Sequence, residues 1–158
     1  MLFGRIFNAK RWKPQNAAAC AYLRKGKLLL HGSSVTQIGN LDCPPYQLLP
    51  GEISDEQLGA ALLEILSIAK AAPPPSDLAA ERQKLFATAK VRSWKQLNDG
   101  AAYCHIGMTP SEITLIPTRN EGQGFSHLPD QGITLPAACT PKQLGAAVRD
   151  GFCRCTSS

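Results

Sequence analysis

The sequence lacks the features of a membrane protein and of an exported one. No apolar run approaches the roughly 18 residues that a membrane-spanning helix requires, and the densest stretch, residues 58–69, contains Glu64. The positive charges near the start are not followed by an apolar segment, so we expect no signal peptide. No Asn-x-Ser/Thr glycosylation site is present. We therefore expect a cytoplasmic protein that does not associate with membranes.

Motifs for metal binding and for common catalytic centres are also missing. The six cysteines include no Cys-x-x-Cys pair, and Cys153 and Cys155 are one residue too close for a zinc knuckle. In a cytoplasm we expect reduced thiols rather than disulfides. No HExxH, Gly-x-Ser-x-Gly, EF-hand or P-loop spacing occurs. The sequence thus predicts no metal, no cofactor and no catalytic residues, and therefore a protein that is not an enzyme.

Only three histidines are present, which limits acid–base chemistry. Cys104 and His105 are adjacent, so on a strand their side chains would point to opposite faces and would not form a nucleophile–base pair. His105 and His127 with Lys95 offer an acid–base set of the kind that a ribonuclease uses. The simpler interpretation, which we favour, is one strand histidine and one loop histidine.

The excess of basic residues is confined to one end of the chain. The net charge is +5 over 158 residues, but residues 1–41 contain seven basic residues and no acid. The remaining residues contain ten basic and twelve acidic side chains and sum to −2. The seven basic residues are Arg5, Lys10, Arg11, Lys13, Arg24, Lys25 and Lys27. Such a segment suits nucleic acid or an acidic partner, although a solvated segment that aids solubility is the simpler interpretation.

The most informative positive feature is an internal repeat. Residues 49–61 and 135–147 match at a constant offset of 86, and the pentapeptide QLGAA recurs unchanged. Each copy starts a helix with a capping box, in which a hydroxyl accepts from the N3 amide and a glutamine accepts from the cap amide. The two boxes are Ser54-x-x-Gln57 and Thr140-x-x-Gln143.

Glycines recur at matching places in the two helices. Gly59 and Gly145 both follow the caps by one turn, where glycine is less favourable than alanine by about 1 kcal/mol. A matched pair predicts that each helix backbone packs closely against a neighbouring element. Cys20 and Cys104 also match, at an offset of 84, and we expect both to pack in the sheet as small apolar groups.

Apolar content and turn chemistry predict the remaining elements. The stretches 18–31 and 102–117 are typical of β-hairpins. Short strands are predicted at Val35–Ile38 and Ile133–Leu135, and Gly/Pro-rich loops at 39–45 and 120–132. A Pro-rich linker over 71–76 precedes a helix at 77–90 with Ser76 as its cap, and Ser93-x-x-Gln96 is a third capping box.

Together these features predict an α+β fold made of two pseudo-repeated units, each a small antiparallel sheet followed by a capped helix. The halves span about 12–70 and 94–157, joined by the Pro-rich linker and helix at 71–93. Because each half alone is small for an independent core, we expect residues 1–158 to form a single domain in which the halves share one core.

Two groups of motifs resemble the immunity proteins of bacterial contact-dependent growth inhibition systems. One is the helix start SDEQLGAAL at 54–62. The other is a later series: the segment VRSWKQL at 91–97, the strand ITLIP at 113–117, Gly124-Phe125 and the second QLGAA helix. The resemblance spans most of residues 50–155.

The resemblance implies a cytoplasmic toxin inhibitor with no catalytic residues of its own. Such immunity proteins bind the C-terminal toxin domain of a large surface effector and block its active site or its substrate path. Many of these toxins are nucleases. The alternative is a nucleic-acid-binding module that uses the basic residues 5–27. Immunity proteins against nucleases are often acidic, and the basic charge of this chain departs from that pattern.

A nuclease partner would present a basic cleft, so acidic side chains are the natural contacts. One candidate surface is formed by the loops 39–45 and 120–132, which also offer Asn40 and Asn120; the other is the start of the first repeat helix. The acids at the helix start, Glu52, Asp55 and Glu56, have the repeat counterparts Ala138, Pro141 and Lys142, so the fold does not require acids there. Acidic side chains at this place would, however, also interact favourably with the helix dipole. The predicted partner-binding residues are Asp42, Glu52, Asp55, Glu56, Glu121, His127 and Asp130.

Overall fold

The computed structural model describes residues 15–37 and 39–158. Four of the seven basic residues named above therefore lie outside the described part, as does Ile38. The strands are β1 (Ala17–Arg24), β2 (Lys27–Thr36), β3 (Gly39–Pro50), β4 (Ala102–Met108), β5 (Glu112–Asn120), β6 (Phe125–His127), β7 (Ile133–Pro136) and β8 (Thr156–Ser157). The helices are α1 (Asp55–Ala71), α2 (Leu78–Ala89), α3 (Trp94–Asn98) and α4 (Pro141–Arg154), with a 3-10 turn at Pro129–Gln131.

The strands form one mixed sheet with β1 and β4 at its centre. The order is β3-β2-β1-β4-β5, and β6, β7 and β8 all pair with β5. Every pairing is antiparallel except that of β5 with β8. The predicted hairpins are β1–β2 and β4–β5, and the turn of the first uses Lys25 and Gly26 at positive φ, as a tight hairpin requires. The α+β fold class is thereby confirmed.

Helices α1 and α4 cover one face of the sheet and build the main core. Leu58 and Leu62 of α1 and Leu144 and Val148 of α4 are fully buried in one hydrophobic cluster. The same cluster takes Leu28, Leu30, Ile106 and Ile113 from the strands. Alternate residues of each strand face this side because the side-chain period of a strand is two. The two closing helices of the predicted halves thus share a core; that the halves are one repeated unit stays a prediction.

The helix starts follow the sequence signals at two of the four helices in full. The hydroxyls of Ser54 and Thr140 each accept a hydrogen bond, at 3.1 Å, from the backbone amide of the glutamine three residues later. The side-chain oxygen of each glutamine in turn accepts from the backbone amide of the capping residue. The cap of α2 is Asp77 rather than the predicted Ser76, because its carboxylate accepts from the Ala80 amide at 3.0 Å. Helix α2 therefore begins at Leu78, one residue later than predicted.

The cap of α3 is only half of the predicted capping box. The Ser93 hydroxyl accepts from the Gln96 amide at 3.1 Å. The Gln96 side chain, however, accepts from the amide of Arg92, at 2.7 Å, instead of the amide of Ser93.

The predicted loop at 39–45 is wrong, since these residues begin β3. Val35 likewise belongs to β2, which ends at Thr36, instead of starting a separate strand. Two prolines, Pro44 and Pro45, made the segment look like a loop. They fit here because β3 lies at the edge of the described sheet and the β2–β3 register shifts at His31/Gly32, which leaves them outside the ladder. The predicted loop at 120–132 holds the short strand β6 and the 3-10 turn.

None of the described helices is both long enough and apolar enough to span a bilayer.

Candidate functional site

Among the described residues, helices cover one part of the second face of the sheet and leave the rest uncovered. In the covered part, α2 and α3 supply Leu85, Ala89 and Leu97, which pack against Tyr22 of β1 and Leu29 of β2. The rest of this face carries polar and aromatic side chains at positions where the first face carries leucine and isoleucine. Buried polar side chains are nearly always hydrogen-bonded or functional. The part of this face that carries them is therefore the candidate site.

A row of cross-strand neighbours runs across five strands of this face. His31 on β2 is opposite Cys20 on β1, and Cys20 is opposite His105 on β4. The row continues to Tyr46 on β3 and to Ile116 on β5. Directly opposed residues in an antiparallel sheet share a face and touch. The register therefore places one thiol between two imidazoles in the middle of the sheet.

The charges of Cys20 and His31 support each other. Burial alone would raise the pKa of the Cys20 thiol, but the His31 and His105 imidazoles outweigh it and lower that pKa to about 6. Burial alone would lower the pKa of His31, whereas Cys20 and Asp42 raise it to about 9. Each of the two groups therefore stabilises the charged form of the other.

Asp42 lies on β3, opposite Ser33, and so faces the same side as His31 and Cys20. One ligand atom each of Cys20, His31 and Asp42 lies within 4.8 Å of the other two. His31 and Cys20 are buried, while Asp42 is half-buried on the edge strand. A thiol, an imidazole and a carboxylate from three successive strands thus converge on one point.

His31 is held in one orientation by its own backbone neighbour. Its Nδ1 lies 2.7 Å from the carbonyl oxygen of Gly32, which accepts the Nδ1 proton. Its Nε2 is buried and has no hydrogen-bond partner, and it is the one such side-chain atom among the described residues. Aromatic rings flank the His31 imidazole: its ring centroid lies 5.6 Å from that of Tyr46 and 6.0 Å from that of Tyr22.

His105 connects the thiol to the other end of the face. Its Nε2 lies 3.3 Å from the side-chain oxygen of Gln15, and its ring centroid is 5.7 Å from that of His127. Gln15 fits over the strand because residue 107 is glycine: a Cβ there would overlap its amide group. Burial, followed by the nearby His105, lowers the pKa of His127.

The structure brings together only some of the groups considered from the sequence. His105 and His127 do meet, but Lys95 lies on α3 and lines a separate groove of about 1020 Å³, together with Asn98 and Asn120. The ribonuclease-like set of His105, His127 and Lys95 is therefore not assembled. Cys104 and His105 do point to opposite faces, since Cys104 lies in the core beneath α4 and α1.

The predicted partner-binding residues lie in four places, the last of which is the start of α1. Asp42 and His127 belong to the second face. Glu121 lies in the β5–β6 turn, where Ser126 donates to it at 2.8 Å and Arg119 lies 3.8 Å away. Asp130 is exposed beside a small pocket of about 340 Å³.

The helix-start acids divide into one structural residue and two exposed ones. Asp55 accepts from Arg149 Nε at 2.8 Å, and the same guanidinium donates to the Gly51 carbonyl at 2.9 Å and to the Ile53 carbonyl. This explains why an acid suits the first position of α1 without a partner protein. Glu52 and Glu56 are exposed and make no hydrogen bond or ion pair within the described chain.

Sequence reasoning missed Cys20 and His31, which were interpreted as packing residues or not singled out. The one available signal was their regular spacing: Cys20, His31 and Asp42 are each eleven residues apart. Hairpin strands of nearly equal length turn such spacing into cross-strand proximity. No short motif carries that information, because the ligand candidates come from separate strands.

Comparison with known proteins identifies the family. The family described as CdiI, CDI immunity protein, matches residues 42–155. The chain belongs to this family. No curated protein sequence matches the chain. The match starts at Asp42, so the whole β1–β2 hairpin, which carries Cys20 and His31, precedes the matched region.

Two solved structures share the fold of this family member. A protein of unknown function from Neisseria meningitidis matches with a TM-score of 0.74 and 15% identity over 91% of this chain and 99% of that one. The CdiA-CT/CdiI toxin and immunity complex from Yersinia pseudotuberculosis matches with a TM-score of 0.73 and 21% identity, covering 89% and 97%. The arrangement of the mixed sheet and its helices in this chain is therefore also found in these two structures.

Proposed function

We propose that this family member binds and neutralises the C-terminal toxin domain of a cognate CdiA surface effector. The observation that carries the proposal is the family match over residues 42–155. The shared fold with the immunity protein of a toxin complex supports it. In this role the protein acts in the cytoplasm by binding alone and has no catalytic activity of its own.

The finer proposal is that the toxin is a nuclease and that the contact covers its active site or substrate path. A nuclease must hold phosphates with basic residues, so an inhibitor gains association rate and specificity from exposed acids. Glu52 and Glu56 offer two carboxylates without a partner in the described chain, at the exposed start of α1. The competing acids are Glu121 in the β5–β6 turn and Asp130 in the 3-10 turn. Asp42 and His127 on the second face complete the proposed set.

The alternative function, nucleic-acid binding by the basic residues 5–27, depends on a salt-sensitive contact. The three described members of that set, Arg24, Lys25 and Lys27, surround the β1–β2 turn. The Arg24 side chain is partly used inside the protein, since its Nε donates to the Gln96 carbonyl at 3.2 Å. No feature of the described residues favours this alternative over toxin binding.

Growth protection tests the proposal directly. The C-terminal toxin domain of the CdiA gene expected immediately upstream of this gene is expressed from an inducible promoter, with and without this protein, and growth and one-to-one binding are measured. We expect rescue of growth and a complex that survives moderate salt. Phosphate contacts would instead lose affinity steeply as salt rises, on RNA or DNA of many sequences. A failure to bind or protect against the adjacent toxin domain, with the protein folded, would contradict the proposal.

A further inference from the structure

We propose that Cys20, His31 and Asp42 form a binding site for zinc or a similar divalent transition metal ion on the second face of the sheet. The three side chains come from β1, β2 and β3, and one ligand atom of each lies within 4.8 Å of the other two. Nothing in the proposed toxin-binding function requires this site. The result of a metal-binding test therefore does not depend on whether the protein binds a toxin.

The donor atoms are those that zinc prefers. Thiolate sulfur, imidazole nitrogen and carboxylate oxygen are its usual protein ligands. Because zinc–ligand bonds measure about 2.0–2.3 Å, side-chain shifts of about 1 Å would close these three groups on one ion. The strands that carry the groups are hydrogen-bonded neighbours, so the positions of the ligands are fixed by the sheet ladder and not by a flexible loop.

The orientation of His31 is the second, independent observation. In metal sites a histidine donates its non-ligating ring N–H to a carboxylate or a backbone carbonyl, which fixes the tautomer. His31 does this with Nδ1 and the Gly32 carbonyl, at 2.7 Å. Its other nitrogen, Nε2, is completely buried and has no hydrogen-bond partner. A buried, unpartnered ring nitrogen beside a thiol and a carboxylate is what an ion would satisfy.

Neighbouring groups support the three ligands. His105 lies opposite Cys20 and interacts with its thiol. The Gln15 side-chain oxygen lies 3.3 Å from His105 Nε2, and this contact orients the ring. The Tyr103 hydroxyl, 3.3 Å from the Cys20 sulfur, can donate to a bound thiolate.

Asp42 is the most exposed of the three ligand candidates. Asp42 lies on β3, the edge strand of the described order, and is half-buried while Cys20 and His31 are buried. An ion can therefore meet the carboxylate first and reach the thiolate and the imidazole behind it. Removal of Asp42 as a ligand should slow and weaken binding without opening the core.

Cobalt titration of the full chain tests the site. The protein is purified without a metal-affinity tag, stripped with a chelator and titrated with Co²⁺, whose spectrum reports its ligands. We expect one equivalent to bind with the visible bands of tetrahedral cobalt and a near-ultraviolet thiolate-to-cobalt band. Zinc should then displace the cobalt stoichiometrically. Absence of cobalt and zinc uptake by the folded protein would overturn the proposal.

Variants identify the ligands. Cys20→Ser should abolish the thiolate-to-cobalt band, and Asp42→Asn, at a half-buried edge position, should weaken metal affinity by more than about tenfold. Cys153→Ser is the matched control, because Cys153 is exposed on α4 and should leave both properties unchanged. Circular dichroism checks folding, and if Cys20→Ser fails to fold, Asp42→Asn decides. Wild-type spectrum and affinity in a folded Asp42→Asn would contradict the assignment of that ligand and overturn the proposed site.

Discussion

Gly59 of α1 packs against the backbone of Pro141 of α4, so closely that an added Cβ would overlap its carbonyl group and stand 2.9 Å from its Cα. The contact is reciprocal, because a Cβ on Gly145 would overlap the carbonyl of Asp55. Each helix thus places its glycine on the first residue of the other. The prediction that the matched glycines mark close backbone packing is confirmed.

Gly59→Ala should destabilise the protein by about 3 kcal/mol, near the upper end of the cost of overpacking, because the clash is with backbone and not with a movable side chain. The gain in helix propensity, about 1 kcal/mol, offsets part of a larger strain. Urea unfolding followed by circular dichroism measures the difference. Gly124→Ala is the control: that position has open space and no positive φ, so its free energy of unfolding should change by less than about 0.5 kcal/mol.

Removing either cap hydroxyl should cost stability and not binding. Ser54→Ala and Thr140→Ala each lose the bond to the N3 amide, and each should lower the free energy of unfolding by about 0.5–2 kcal/mol. Ser67→Ala, on an exposed position of α1, should not destabilise. Toxin affinity is measured on the folded variants. A large loss of affinity with unchanged stability would mean that the capping residue is itself a contact.

Arg149→Lys should destabilise the protein although the charge is kept. The guanidinium bonds Asp55 and two carbonyls at once, a geometry that a single ammonium group cannot reproduce. We expect a loss of about 1–2 kcal/mol in the free energy of unfolding, reduced by partial exposure of the site. Arg154→Lys serves as comparison, because Arg154 donates to one carbonyl, that of Gln131, and its ion pair with Asp150 spans one turn on the surface. Equal effects of the two changes would argue against a special role for Arg149.

Charge reversal should locate the toxin interface. We expect Glu52→Lys combined with Glu56→Lys, or Glu121→Lys combined with Asp130→Lys, to slow association about tenfold or more at low salt if the toxin face is basic. Association rates are measured by stopped flow, alongside growth protection and thermal stability. Glu64→Lys, exposed on the same helix as Glu56, is the matched control. If both double reversals leave rate and protection unchanged, the electrostatic description of the interface is wrong.

Local signals predicted the elements of this fold well where the residues interact with close sequence neighbours. The capping boxes at Ser54 and Thr140 are examples, because every participating group lies within four residues. The segment at 39–45 was misjudged because proline content suggests a loop, whereas strand pairing at the sheet edge depends on β2. Tertiary context overrode composition there.

The candidate site was predictable only in part, for a related reason. Asp42 and His127 were selected for charge and loop position, yet both lie on a sheet face whose existence depends on the pairing of β1 with β4. Cys20 was expected to pack as an apolar group like Cys104, but Cys104 lies in the core and Cys20 faces His31 and His105. The parity of a strand position decides its face, and parity was assignable only once the register was known.

The central β1–β4 pairing has a consequence for the order in which the protein assembles. Strands β1, β2 and β3 form a local meander, so Cys20, His31 and Asp42 can meet as soon as the first fifty residues fold. His105 joins them only when β4 docks, across a sequence separation of 85 residues from Cys20. Closing such a loop carries an entropic cost and is slow relative to hairpin formation. We therefore expect β1–β4 docking to be the late step that completes the site.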